Sequence, residues 1–133
     1  MGADCLMLQI GMTAETSRIV AQEDTAMVIG SGTAPVLATP KLIALLENAA
    51  MNAVGNHLDE GMATVGTKLS AEHIAATPLG MNVTAKATLI SIENRKLTFE
   101  LEAHDEVEKV AFGTHERFIV YEEKFVAKAN AKK

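Results

Sequence analysis

Glu47 stands where a charge is costly. It lies in the run 41–54, and at about 100° per residue it projects between Ile43, Met51 and Val54. That direction is roughly 130° from a polar stripe of Asn48, Asn52 and Asn56. A carboxylate on an apolar helix face needs a partner. Desolvation disfavours a carboxyl's charged form, which suits a general base working near neutral pH. A structural ion pair accounts for the placement equally well. Just before this run Thr39 precedes Pro40. Its hydroxyl serves either as a helix N-cap or as a polar group beside free backbone N–H groups, where developing negative charge is favoured.

Five further positions carry chemistry less specifically. His73 shares the more apolar face of an extended segment with Val65, Thr67, Leu69, Ala71 and Ala75. A histidine there is either a satisfied core residue or an acid–base group. Gly66 falls on the opposite face under strict alternation, and reaches the face of His73 only across a bulge, which a strand glycine often marks. Gly113, His115 and Arg117 share a face near the C-terminal end; they read either as a cross-strand polar row or, for Arg117, as a contact for phosphate or carboxylate.

The elements that must position these residues are few. A helix is expected over 39–57, opened by Thr39-Pro40 and continued by strong helix formers. Strands are expected over 13–21, 26–29, 63–75, 83–92, 96–103 and 107–121, with turns at Thr77-Pro78-Leu79-Gly80, Asn94 and Asp105-Glu106. Leu97, Phe99, Leu101 and Ala103 alternate with Lys96, Thr98, Glu100 and Glu102, the period of a half-buried strand. A buried helix followed by four antiparallel strands implies an α+β fold whose sheet wraps the helix.

Composition narrows the function classes. The chain has 133 residues with 48% hydrophobic and 22% charged, as in one globular domain. Residues 1–12 and 128–133 are expected to be frayed ends of that domain, 1–133. Lys and Arg number 12 against 17 Asp and Glu, so no general basic field favours nucleic acid. One cysteine, Cys5, excludes an internal disulfide framework and a multi-cysteine zinc site. No histidine pair has helical metal spacing, and no nucleophile-elbow, phosphate-loop or dinucleotide motif occurs. No metal or other cofactor is expected. No apolar run is long enough to span a membrane, and no Lys or Arg precedes Arg18 as a secretory signal requires. The expected location is cytoplasmic.

Several strings together resemble the hot-dog-fold thioesterases of the fluoroacetyl-CoA thioesterase type. They are Val36-Leu37-Ala38-Thr39-Pro40 with Glu47, then Gly66-Thr67 leading to His73, Ala75-Ala76-Thr77-Pro78 and Gly80. Ala103-His104-Asp105, Gly113-Thr114-His115-Glu116-Arg117 and Glu123-Lys124-Phe125 complete the series. The resemblance implies a hot-dog fold, one central helix wrapped by an antiparallel sheet. It implies a homodimer or dimer of dimers with active sites near the subunit interface, and hydrolysis of a small acyl-CoA. It also implies Thr39, Glu47 and His73 as the catalytic set, with Gly66 and Arg117 in substrate binding. Gly30 to Leu37 contains no aromatic residue where fluoroacetyl-selective members carry bulky ones, so the implied activity is generic.

Two alternatives accompany this reading: a non-catalytic acyl-CoA-binding or regulatory hot-dog domain, and a hydratase on the same fold. The hydratase needs an Asp/His pair at the helix start, and no Asp lies between Asp24 and Asp59. One geometric tension remains. Thr39 and Glu47 lie about 12 Å apart along a regular helix. Either the helix is irregular near Pro40, or the site takes Thr39 from one chain and Glu47 from another, or His73 and substrate bridge the gap.

Overall fold

In the computed structural model residues 8–133 are described; Cys5 lies outside them. The element order is β1 (Thr13–Ile19), a 3-10 turn (Gln22–Asp24), α1 (Ala26–Ile29), α2 (Thr39–Gly55), β2 (Met62–His73), β3 (Asn82–Glu93), β4 (Lys96–His104), β5 (Lys109–Tyr121) and α3 (Glu122–Asn130). No helix among the described residues is long and apolar enough to cross a membrane.

Period-2 patterning builds the sheet. In β4 Leu97, Phe99, Leu101 and Ala103 are buried, whereas the residues between them are not. In β3 Val83, Ala85, Ala87 and Leu89 point inward; a bulge between Leu89 and Ser91 then changes the parity, so that Ile92 packs on the same core. All pairings are antiparallel and the strand order is β1-β3-β4-β5-β2. β2 is therefore an edge strand.

The long helix packs on the inward face. Leu42, Leu45, Leu46, Ala49, Ala50, Ala53 and Val54 are its buried residues, at the spacing of one broad helical face. Ala49, Ala50, Ala85 and Ala87 are small, so helix and sheet approach closely. Leu42, Leu46, Leu89, Leu97 and Phe99 fill what is left. Each such large side chain contributes roughly 1.5–3 kcal/mol on burial. Of the polar stripe, Asn48 meets β1: its Oδ1 accepts from Thr16 Oγ1 at 2.7 Å and, within the helix, from Asn52 Nδ2 at 3.0 Å, while Asn52 and Asn56 are exposed.

Three local expectations are corrected. Residues 26–29 form a helical turn, not a strand, because Thr25 Oγ1 caps the Val28 N–H and Gly30, at φ 90°, closes the turn. The N-cap of α2 is Ala38, and Thr39 is the first residue inside the helix, so its hydroxyl is not spent on capping. At the C-terminal end, Lys128 to Asn130 continue an exposed helix rather than a frayed tail.

Asp24 fixes where α2 begins. It is fully buried. Its Oδ2 accepts from Arg18 Nε at 2.6 Å and from the Ala21 N–H at 2.9 Å, and Lys41 Nζ lies 3.4 Å from Oδ1. Its own carbonyl accepts from the Ala38 N–H at 2.8 Å. Burial raises the Asp24 carboxyl pKa, but Arg18, Ala21 and Lys41 outweigh it and hold the group below the usual carboxylate value of 3.8. This ionised form therefore stabilises the fold above that pH, and its contribution is lost as pH falls through the depressed value. Asp24→Asn is expected to cost about 2 kcal/mol in urea unfolding at pH 7. That deficit should shrink on acidification below pH 3.8.

Candidate active site

The site begins with an irregularity in β2. Its pairing with β5 shifts between Gly66 and Lys68, leaving Thr67 as the extra residue. This is the bulge on which the placement of Gly66 depends. The glycine lies on the inward face with Thr64, and after the bulge Leu69 and His73 are again the half-buried positions. A Cβ built on Gly66 would lie 3.0 Å from Glu47 Oε2, 3.2 Å from His115 Cε1 and 3.4 Å from Arg117 Nη1. Thus α2 brings its carboxylate directly over a strand position that has no side chain.

Beneath Glu47 lies a buried polar network. His115 is 1% exposed and Arg117 7%. Arg117 donates from Nε to Thr64 Oγ1 at 2.8 Å and from Nη2 to the Thr64 carbonyl at 2.9 Å. Its Nη1 lies 3.1 Å from His115 Nε2. A guanidinium only donates, so Nε2 is the acceptor and the ring proton sits on Nδ1. That N–H donates to the Lys68 carbonyl, at the bulge, at 2.8 Å. His115 is thereby fixed as one neutral tautomer. Burial pushes its pKa down, and the Arg117 charge acts in the same direction against the Lys68 carbonyl and Glu47. Burial also lowers the Arg117 pKa, opposed by the Glu47 charge.

A second group assembles at the start of α2. Thr39 Oγ1 and His73 Nδ1 are 2.7 Å apart. His73 Nε2 is buried and makes no hydrogen bond among the described residues. Burial lowers the His73 pKa, against an opposing contribution from the Ala75 backbone. The neutral ring therefore has one nitrogen free to accept, and the Thr39 hydroxyl is placed to give it a proton. An open cavity of about 240 Å³ lined by His73, Ile74, Ala75 and Ala76 lies alongside.

All five sequence candidates are gathered, but in two groups: Thr39 with His73, and Glu47 with Gly66 and Arg117. The helix is continuous from Thr39 to Gly55, so no irregularity near Pro40 joins them. The groups are about 12 Å apart along its axis. The sequence alone gives Thr64 no role and His115 only a place in a polar row. The alternation Gly113, His115, Arg117 is the available signal, since three inward positions on one strand imply mutual contact. Among the described residues, no group of three or more His, Cys, Asp or Glu is placed to hold a metal ion.

Known proteins share this architecture. The family model described as fluoroacetyl-CoA-specific thioesterase matches residues 20–123. The fluoroacetyl-CoA thioesterase of Streptantibioticus cattleyicolor is 41% identical over 97 residues, covering 73% of this chain and 70% of that protein. A solved structure of the fluoroacetyl-CoA thioesterase FlK superposes with a TM-score of 0.89 at 32% identity, covering 95% of this chain and 98% of the other. A Thermus thermophilus member of the thioesterase superfamily gives 0.85 at 26% identity, covering 92% and 91%. The chain accordingly belongs to the fluoroacetyl-CoA-specific thioesterase family: it is a thioester hydrolase with the hot-dog fold.

Proposed function

We propose that the protein hydrolyses small acyl-CoA thioesters at a site built from two copies of the chain, with Thr39 and His73 from one and Glu47, Gly66 and Arg117 from the other. The observation that carries this is the separation of the two groups along a straight helix. Edge strand β2 supplies the remedy, for it holds Gly66 in its first half and His73 at its end. Two such strands pairing antiparallel about a two-fold axis near their middle bring the Gly66 part of each against the His73 end of the other. Such pairing also covers a long open edge, which otherwise invites unspecific association. A similar solved structure, a FlK variant with fluoroacetate and CoA bound, supports CoA thioesters as the substrate class.

In this arrangement the thioester carbonyl lies next to Glu47 Oε2, which the absence of a side chain at Gly66 allows to come down against β2. A thiol ionises near pH 8.5, so it leaves readily. Activation of the nucleophile and support of the oxyanion therefore dominate the barrier. Glu47 acts as general base on water or attacks directly to give a transient anhydride. Thr39, hydrogen-bonded to His73, positions the nucleophile or serves as it. Pro40 has no N–H, and the Lys41 N–H is bonded to the Ala38 carbonyl at 3.1 Å. The Thr39 N–H is thus the oxyanion donor at this helix start. Arg117, held by Thr64 and His115, supplies fixed positive charge facing Glu47. Segment 30–37 lacks aromatic residues, so the acyl pocket is not narrowed to fluoroacetyl-CoA.

Glu47→Gln is expected to lower kcat on acetyl-CoA about 10²-fold or more, as thiol release measures directly. Thr39→Ala and Glu47→Gln proteins, each inactive, should regain about a quarter of wild-type activity when mixed and allowed to exchange subunits, because one site in each mixed dimer is intact. No recovery would mean that both residues act within one chain. His115→Leu leaves the Lys68 carbonyl and an Arg117 N–H unpaired and should cost about 2–4 kcal/mol in urea unfolding. His115→Gln, whose amide both donates and accepts, should cost markedly less. Because His73 and His115 both carry lowered pKa values, the stability they contribute is complete above pH 6.5 and declines as pH falls below it. Thermal unfolding across that range checks the sign.

A further inference from the structure

Glu47 and Arg117 face one another without pairing. Glu47 Oε2 from α2 and Arg117 Nη1 from β5 border the same strand position, 3.0 Å and 3.4 Å from where a Cβ of Gly66 would stand. Each lies within reach of the other's charge: burial lowers the Arg117 pKa, and Glu47 opposes that. His115, neutral and also on β5, is the other titratable group that senses Glu47. Among the described residues, however, the ion pairs at contact distance join Arg18, Lys41, Lys96 and Lys109 to Glu23, Asp24, Glu93 and Glu102. Glu47 joins none of them and accepts no hydrogen bond from a described residue.

That separation needs a cause. A guanidinium and a carboxylate on facing elements ordinarily close into a fork of charge-assisted hydrogen bonds. The same chain makes a contact of this kind elsewhere, with Arg18 Nε 2.6 Å from Asp24 Oδ2. At Arg117, three of the five N–H groups are committed to other acceptors. Thr64 fills the edge formed by Nε and Nη2, accepting from the first with Oγ1 at 2.8 Å and from the second with its carbonyl at 2.9 Å. His115 Nε2 holds the Nη1 end at 3.1 Å, and its own Nδ1–H is tied to the Lys68 carbonyl at 2.8 Å. These anchors stand on paired strands, Thr64 and Lys68 on either side of the bulge in β2 and His115 on β5. Thr64, His115 and Arg117 are all buried, so water competes little for the same bonds.

Closing the pair would harm the chemistry. A carboxylate clasped by a guanidinium has its oxygens engaged and takes up a proton less readily, which makes it a weaker base and a poorer nucleophile. We propose that Thr64 and His115 are positioning residues whose hydrogen bonds hold Arg117 short of Glu47, leaving the carboxylate oxygens open to the reaction. The positive charge still acts across the gap. The proposal rests on the reading of Glu47 as base or nucleophile given above and adds what keeps it free.

Thr64→Val keeps the shape of the side chain and removes the acceptor for Nε; Thr64→Ser keeps the acceptor. In a crystal structure of Thr64→Val an Arg117 nitrogen should lie within about 3 Å of a Glu47 oxygen. The kcat for acetyl-CoA should fall about tenfold with KM nearly unchanged. The acid limb of kcat against pH should move down by about one unit, because a clasped carboxylate holds its proton less well. Thr64→Ala should act in the same way, and Thr64→Ser should restore most of the loss. In an Arg117→Gln background Thr64→Val should move neither kcat nor the limb, since no guanidinium remains to be released. Equal losses in both backgrounds with the acid limb in place would mean a merely structural role and overturn the proposal. So would a Thr64→Val structure in which Arg117 and Glu47 stay apart. A closed pair in a variant that hydrolyses as fast as the wild type sustains the restraint and instead removes Glu47 from the chemistry, so the two readings fail separately.

Discussion

The structure depends on how closely α2 approaches β2 at Gly66. The Glu47 carboxylate occupies space that a Cβ at position 66 would contest at 3.0 Å. It lies above a buried guanidinium and a buried imidazole. Three conditions must hold together. The strand must bulge, so that Gly66 and His73 share the inward face. The residue must be glycine, so that the helix can come down. The charge of Arg117 must be held in place, which Thr64 and His115 do through their hydrogen bonds to its guanidinium. His115 links these conditions, because one ring nitrogen fixes the guanidinium while the other binds the carbonyl at the bulge.

The second constraint is the straightness of the helix. A regular helix cannot bring residues at its first and third turns together, however short the chain between them. The proposed two-chain site answers this through topology. The strand that carries both Gly66 and His73 lies at the sheet edge, with its free side available to a copy of itself. Anchoring by Asp24 serves the same end, since it sets the helix start and hence the direction of the Thr39 hydroxyl toward His73. Stability and chemistry are here two consequences of the same contacts.

Much of this is legible in the sequence, for identifiable reasons. The central helix and the four strands after it follow from strong periodicity, and Glu47 is conspicuous because a carboxylate interrupts an apolar face. The motif series identifies the family because its landmarks are spread along the chain in order. Residues 26–29 look like a strand but are not one: a single helical turn has too few residues to show a period and is decided by Thr25 and Gly30 instead. Thr39 looks like the cap, although one position earlier Ala38 assumes the extended backbone while an Asp24 carbonyl takes its N–H. Burial of His115 and Arg117 is hidden because polar residues on one strand face look alike whether solvent or a helix covers them.

In the proposed site a carboxylate from one copy of the chain meets a hydroxyl and an imidazole from another across a bound thioester. A crystal structure of the Glu47→Gln protein with an unhydrolysed acyl-CoA tests this most directly. The thioester carbonyl is expected between the substituted side chain at position 47 of one protomer and Thr39 of its partner. A thioester bound wholly within one protomer, or away from Gly66, would contradict it.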